Sequence, residues 1–194
     1  MYLRLDHPPV AIDGYLSQLD PKLADELTSL ANGLRHLRFI HLNSTATGGG
    51  VAEILQSMVP LMNALGLETE RIVMEGNPEF FQVTKRIHNL LQGAEGSLST
   101  QEFDTYLQTN QGVADAFTRG GLAADVWFFH DPQVLPLASM LPGTKSAIRN
   151  WICHIDLTAP NRSTIDSLLP YSQDYDSLFF SLQTYVPQGL GKTP

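Results

Sequence analysis

RFIHLNSTATGGGVAEILQ, residues 38–56, divides into three parts. Arg38 to Asn43 is a short apolar run, Ser44 to Gly50 is small, polar and glycine-rich, and from Val51 apolar residues recur at helical spacing. The order is strand, loop, helix, which lets backbone N–H groups at a helix N-terminus meet a phosphate or another oxyanion. Gly48, Gly49 and Gly50 carry no Cβ, so the backbone can adopt positive φ and approach a ligand closely. No Lys-Ser/Thr follows, which excludes a Walker A loop, and the glycines fit only part of a GxGxxG fingerprint. A tight turn with no ligand gives the same local pattern.

Downstream, Val51, Ile54, Leu55, Met58, Leu61, Met62 and Leu65 make one broad apolar face of a helix that Gly66 stops. Glu68 to Met74 reads as a strand, which completes a βαβ crossover and predicts a parallel sheet. Upstream, Asp20-Pro21 caps and opens a helix whose Leu23, Leu27, Leu30 and Leu34 form a stripe. Met1 to Leu19 reads as an extended or irregular arm. Beyond residue 75 the expected elements are helices at 78–92 and from Thr100, a strand at 124–129, a helical stretch at 133–140, a strand at 147–155, a helix at 161–169 and a last strand at 177–182. Val186-Pro187-Gln188-Gly189 trails away. The pattern is α/β: a Rossmann-like three-layer domain with a mostly parallel sheet over residues 20–187, preceded by an arm at 1–19 and followed at 188–194 by a tail or the start of a linker.

The 194 residues are 43% hydrophobic, enough for one domain with an ordinary core. A net charge of −8 with only 12 Lys and Arg lacks the basic footprint of a nucleic-acid binder and argues against an anionic membrane surface. Cys153 is the single cysteine, so no intrachain disulfide forms. No apolar run approaches the roughly 20 residues of a membrane helix, and the N-terminal residues lack a secretion-signal layout. The expected setting is soluble and cytoplasmic.

In an open parallel sheet, ligands bind beyond the carboxyl ends of the strands. Three expected strands end there in polar groups: Asn43 with the glycine loop, His130 with Asp131, and His154 with Asp156. His154 and Asp156, two apart on a strand, are expected to face one way. Each piece has a structural alternative. His41 suits a hydrogen-bonded core histidine, His88 a solvated helix position, and His130-Asp131-Pro132 an Asx turn capping the next helix. His130, Asp131, His154 and Asp156 could make an N/O metal site, but no HExxH or cysteine cluster supports one, and no metal is expected. The absence of a GxSxG elbow argues against a Ser–His–Asp hydrolase.

HLNSTATGGGVAEIL, EGNPEFFQVTKRIHNLLQG, FFHDPQ and CHIDLTAPN, in that order, resemble the N-terminal domain of the retaining trehalose synthase (glycosyltransferring) and trehalose phosphorylase group of glycosyltransferase family 4. The likeness runs from about Asp20 to Pro187. It implies one half of a GT-B architecture, in which two Rossmann-like domains enclose the active site. It implies that Gly48 to Gly50 lie against the donor phosphate or diphosphate, that Asp131 contacts the acceptor sugar, and that His154 touches and positions the donor sugar. Asn43, Lys85 and Asn89 are then expected in the sugar pocket, with His130 and Asp156 beside them. Attack and departure on one face need no protein nucleophile, and no cofactor is implied.

The sequence departs from that group in lacking the second domain, which carries the donor's diphosphate, ribose and sugar contacts. The residues alone are therefore expected to have little transferase activity. Three readings stay open: an enzyme half completed by a separate donor-binding chain, a homodimer or a longer parent protein; a module that binds a sugar or sugar phosphate without turnover; and a dimerising interaction domain on the same fold.

Overall fold

The computed structural model describes residues 1–144, 146–187 and 190. Six strands, β1 (Tyr2–Leu5), β2 (Arg38–Asn43), β3 (Glu68–Met74), β4 (Val126–His130), β5 (Ile148–Cys153) and β6 (Ser177–Phe180), form one sheet in the spatial order β1-β3-β2-β4-β5-β6. All neighbours are parallel except β1, which runs antiparallel along β3. The helices are α1 (Ile12–Leu16), α2 (Pro21–Leu34), α3 (Gly50–Ala64), α4 (Pro78–Leu91), α5 (Thr100–Arg119), α6 (Leu137–Met140) and α7 (Arg162–Ser172).

Alternation along the strands sorts the core into two faces. Ile40, Leu42, Ile72, Met74, Trp127, Phe129, Trp151 and Cys153 pack with Phe80, Ile87, Tyr106, Phe117 and Leu168 from α4, α5 and α7. Phe39 and Val126 turn the other way, onto Ala31 of α2 and onto Leu65 and Leu67 beyond α3. His41, Asn43, Arg71 and His130 share the parity of this second, more polar face.

The caps follow local chemistry. Asp20 accepts from Lys22 N, Asn77 from Phe80 N, and Ser99 with Glu102 forms a reciprocal capping box at α5. Two carboxylates also tie strand entrances together: Asp125 accepts from Arg38 N, and Asp176 from Arg149 N.

Several expectations change. The 1–19 segment, expected as an extended or irregular arm, carries an edge strand and a short helix: Tyr2 to Leu5 pair with Met74 to Arg71, and the Tyr2 ring meets Phe117 edge-on at 4.7 Å. One flank of backbone bonds suffices for an edge strand, so its sequence pattern is weak. The leucine stripe of α2 is not its packing face, since Leu23, Leu30 and Leu34 are exposed. The helix packs instead through Leu27 and Ala31, which join Phe39, Leu65, Leu67 and Val126. Residues 133–140 are not one helix: a 3₁₀ turn at Pro132–Val134 precedes the short α6, because Pro136 has no N–H to continue a ladder. The tail expected at 188–194 lies, except for Leu190, outside the described residues.

Candidate functional site

The carboxyl ends of β2, β4 and β5 border a cleft of about 500 Å³. Asn43, Gly48, Gly49, Gly50, His88, His130, Asp131, Gln133 and His154 line it.

The β2 side is built on Arg71. This side chain is 2% exposed and rises from β3, directly opposite His41. Its Nε donates to Asn43 Oδ1 at 3.2 Å, one terminal nitrogen to Ala52 O at 3.3 Å, and the other to Thr45 O at 2.9 Å and Ala46 O at 3.1 Å. Asn43 Nδ2 adds a bond to Thr45 O. Among the described residues no carboxylate pairs with this guanidinium. Its positive charge therefore stays beneath the glycine turn, and burial lowers its pKa. Gly48 and Gly49 sit at φ 75° and 91°, which a side chain would strain. A Cβ at any of the three glycines would meet open space, so conformation rather than crowding demands glycine at 48 and 49. Gly49 supplies no side-chain cap, and the first three amides of α3 find no protein acceptor among the described residues.

The β4 side is built on Asp131, the one non-glycine residue at positive φ among those described, with φ 66° and ψ 172°. Three bonds hold it: its N–H donates to Ile152 O at 2.9 Å, its carbonyl accepts from Trp151 Nε1 at 3.0 Å, and its Oδ1 accepts from His154 N at 2.8 Å. The turn behind it is braced by Tyr106, whose hydroxyl donates to Pro132 O, and by Asn110, which donates to Gln133 O. Burial raises the Asp131 pKa, opposed by the His154 amide and by positive charge at His154 and His88. It stands at the N-cap position of the following 3₁₀ turn but makes no side-chain capping bond there.

Three histidines cross the sheet in a chain. His41 Nδ1 lies 3.0 Å from His130 Nε2, and His130 Nδ1 lies 3.0 Å from His154 Nε2. Burial pulls His41 down to about 3. It also holds His130 well below the usual histidine value, reinforced by charge at His41, His154 and Arg71.

The remaining expected site residues fall elsewhere. Asp156 is exposed, and hydrogen bonding from the Thr158 side chain and from Thr158 N, the latter at 2.8 Å, lowers its pKa. β5 ends at Cys153, so the strand alternation expected to put Asp156 beside His154 has already stopped. Lys85 and Asn89 are exposed on α4 and do not line the cleft, whereas His88 between them does. Among the described residues no cluster of three or more His, Cys, Asp or Glu is arranged to hold a metal. Sequence reasoning missed Arg71, Gln133 and the histidine chain. Arg71 gave a signal in being the one cation of its strand, set directly before the apolar run Ile72 to Met74.

A mostly parallel sheet with a glycine turn and a cleft at the carboxyl ends of its strands makes the chain a Rossmann-like domain, with the architecture of one half of a GT-B protein. Aligned on the α,α-trehalose-phosphate synthase (UDP-forming) of Burkholderia xenovorans, solved with glucose-6-phosphate, the chain gives a TM-score of 0.56 over 75% of its own length and 40% of the other's. At 13% identity this likeness shows the fold. The chain belongs to the family described as trehalose synthase, N-terminal domain, which matches residues 41–187. It is 40% identical to the trehalose synthase of Rubrobacter xylanophilus over 98% of the chain and 46% of that protein. It is 37% identical to that of Pyrococcus horikoshii over 93% of the chain and 43% of that protein. The chain thus spans less than half the length of these relatives. No helix among the described residues is long and apolar enough to cross a membrane.

Proposed function

We propose that this chain supplies the acceptor-sugar side of a retaining glucosyltransferase acting on glucose- and trehalose-type substrates. The observation that carries the reading is the convergence of Asn43, the glycine turn, Asp131 and His154 on one cleft. A sugar's hydroxyls need directed acceptors and donors. Asp131, with one carboxylate oxygen already fixed by His154 N, offers the acceptor, and the His154 ring offers the polar group facing it. A leaving phosphate needs donors where negative charge grows. The open amides of α3, over the buried charge of Arg71, meet that need. Catalytic roles therefore fall to Asp131 and His154, with Asn43, Gly48, Gly49, Gly50 and His130 shaping the site. The donor-binding half is supplied by a longer parent protein, a separate chain or a second copy.

Thermal melting with glucose, trehalose, glucose phosphates and nucleoside diphosphates tests the reading. A ligand at 100 times its Kd adds roughly 2.7 kcal/mol to a native state that alone binds it. A rise in Tm with a sugar or sugar phosphate supports the proposal. No rise with any of these ligands overturns it, and binding that persists without turnover beside a donor-binding half supports a non-catalytic sugar-binding module.

A further inference from the structure

We propose that His41 and His130 are positioning residues that fix the tautomer of His154, so that the cleft meets an Nδ1–H donor and not a free imidazole lone pair.

The three rings form a diagonal on one face of adjacent strands. His41 stands opposite Phe128 in the β2–β4 register, and His130 is two residues further along β4. His130 stands opposite Ile152 in the β4–β5 register, and His154 is two residues further on. The repeated offset makes each ring meet the next head to tail, Nδ1 to Nε2. The centroids of His130 and His154 lie 5.3 Å apart with planes 15° apart, the spacing of rings that touch edge to edge through a hydrogen bond. His41 is backed by Phe128, stacked at 4.6 Å.

A neutral imidazole carries one N–H, and each N···N contact needs one proton between its two nitrogens. The middle ring can give to only one neighbour, so all three rings must point the same way. In the outward register His41 Nδ1–H donates to His130, His130 Nδ1–H donates to His154 Nε2, and His154 keeps its proton on Nδ1. In the inward register every bond reverses, and His41 must hold its proton on Nε2. That nitrogen is sealed from solvent and has no partner among the described residues. Each register leaves this one atom bare. In the outward register it is a lone pair, in the inward register an N–H, and buried N–H groups without an acceptor are the rarer of the two in folded proteins. Arg71, opposite His41 on β3, adds a fixed positive charge that further disfavours a cationic ring in the chain.

His154 Nδ1 has no protein acceptor among the described residues and is not sealed from water, so its proton is available to the cleft. The other charged or titratable groups that line the cleft beside His130 and His154 are Asp131 and His88. With the lone pair of His154 Nε2 already engaged by His130, the basic groups left in the cleft are the carboxylate of Asp131 and the ring of His88. The tautomer rests on hydrogen-bond geometry. Its use, a bond given to a sugar oxygen, rests on the function proposed above.

The chain labelled with ¹⁵N-histidine, without ligand at pH 8, is observed by multiple-bond ¹H–¹⁵N correlation, which separates protonated from bare ring nitrogens. His154 is expected to show a single tautomer, protonated at Nδ1. His41→Leu removes the first donor and is expected to give a mixture at His154. His41→Asn, whose amide nitrogen stands near the Nδ1 position, is expected to restore the wild-type pattern. An Nε2–H tautomer at His154 in the wild-type chain overturns the proposal, as does an unchanged His154 in a folded His41→Leu chain. The wild-type spectrum decides even if that variant does not fold. Because no ligand is present, a failure here is separate from a failure of the sugar reading, which the melting series tests.

Discussion

Asp131 occupies a backbone region that glycine enters freely and other residues enter at a cost of roughly 1–3 kcal/mol. It stays there because Ile152, Trp151 and His154 bind its three polar groups from the next strand. Asp131→Ala keeps the strain and deletes the acceptor for His154 N, so a loss of about 1–3 kcal/mol is expected from urea unfolding. Asp131→Gly loses the same bond and relieves the strain, and is expected to be at least about 1 kcal/mol more stable than Asp131→Ala. Equal midpoints for the two would show that nothing is strained at 131. The rule that polar groups at strand ends converge was enough to bring Asn43, the glycines, His130, Asp131 and His154 to one cleft from sequence. It failed at Asp156, where a strand ended two residues early. It could not show the His41–His130 bond either, because residues 89 apart become neighbours only once the strand order is known.

The glycine turn takes its shape from β3 as much as from its own residues. Arg71 donates to the Asn43 side chain and to the carbonyls of Thr45, Ala46 and Ala52, tying the turn and the start of α3 to β3. Lysine carries the charge but cannot fork to several oxygens at once. Arg71→Lys is therefore expected to loosen the start of α3 locally. Hydrogen exchange at Glu53 and the next amides should accelerate by about tenfold or more, equivalent to roughly 1.4 kcal/mol, with β4 and β5 unchanged. Uniform exchange across all elements would mean that Arg71 serves global stability instead. Elements were legible where the local chemistry is strong: β2 and β3 match their expected bounds, and the caps at Asp20, Asn77 and Ser99 mark helix starts. They were illegible where tertiary packing decides. α2 leaves Leu23, Leu30 and Leu34 in solvent and packs through Leu27 and Ala31, and β1 is specified mainly by the edge of β3 that it covers.

Burying neutral histidines makes the stability of the whole molecule depend on acid. His41 and His130 have folded pKa values below their unfolded ones, His41 at about 3 against 6.5. Between those values the unfolded chain binds protons that the native chain refuses, so stability falls as pH drops from 6.5 toward 3. Each such histidine contributes a slope approaching 1.4 kcal/mol per pH unit, about 2.7 kcal/mol per unit for the pair. Asp131 acts in the opposite sense. Its folded pKa is raised, so its protonated form favours the native state, and stability is gained as pH falls through its folded value toward 3.8. The net charge of −8 also relaxes toward zero on the way down to pH 5.1, which lessens self-repulsion above that point. The histidine slope should therefore be read from about pH 6 to 4.5, where the unfolded histidines take up their protons, with any Asp131 gain subtracting from it. His41→Asn keeps a donor in the chain but cannot titrate, and is expected to remove about half of the slope in urea midpoints measured across that range. A wild-type midpoint that stays flat from pH 6.5 to 4.5 would mean that one or both buried rings take up protons without unfolding the sheet around them.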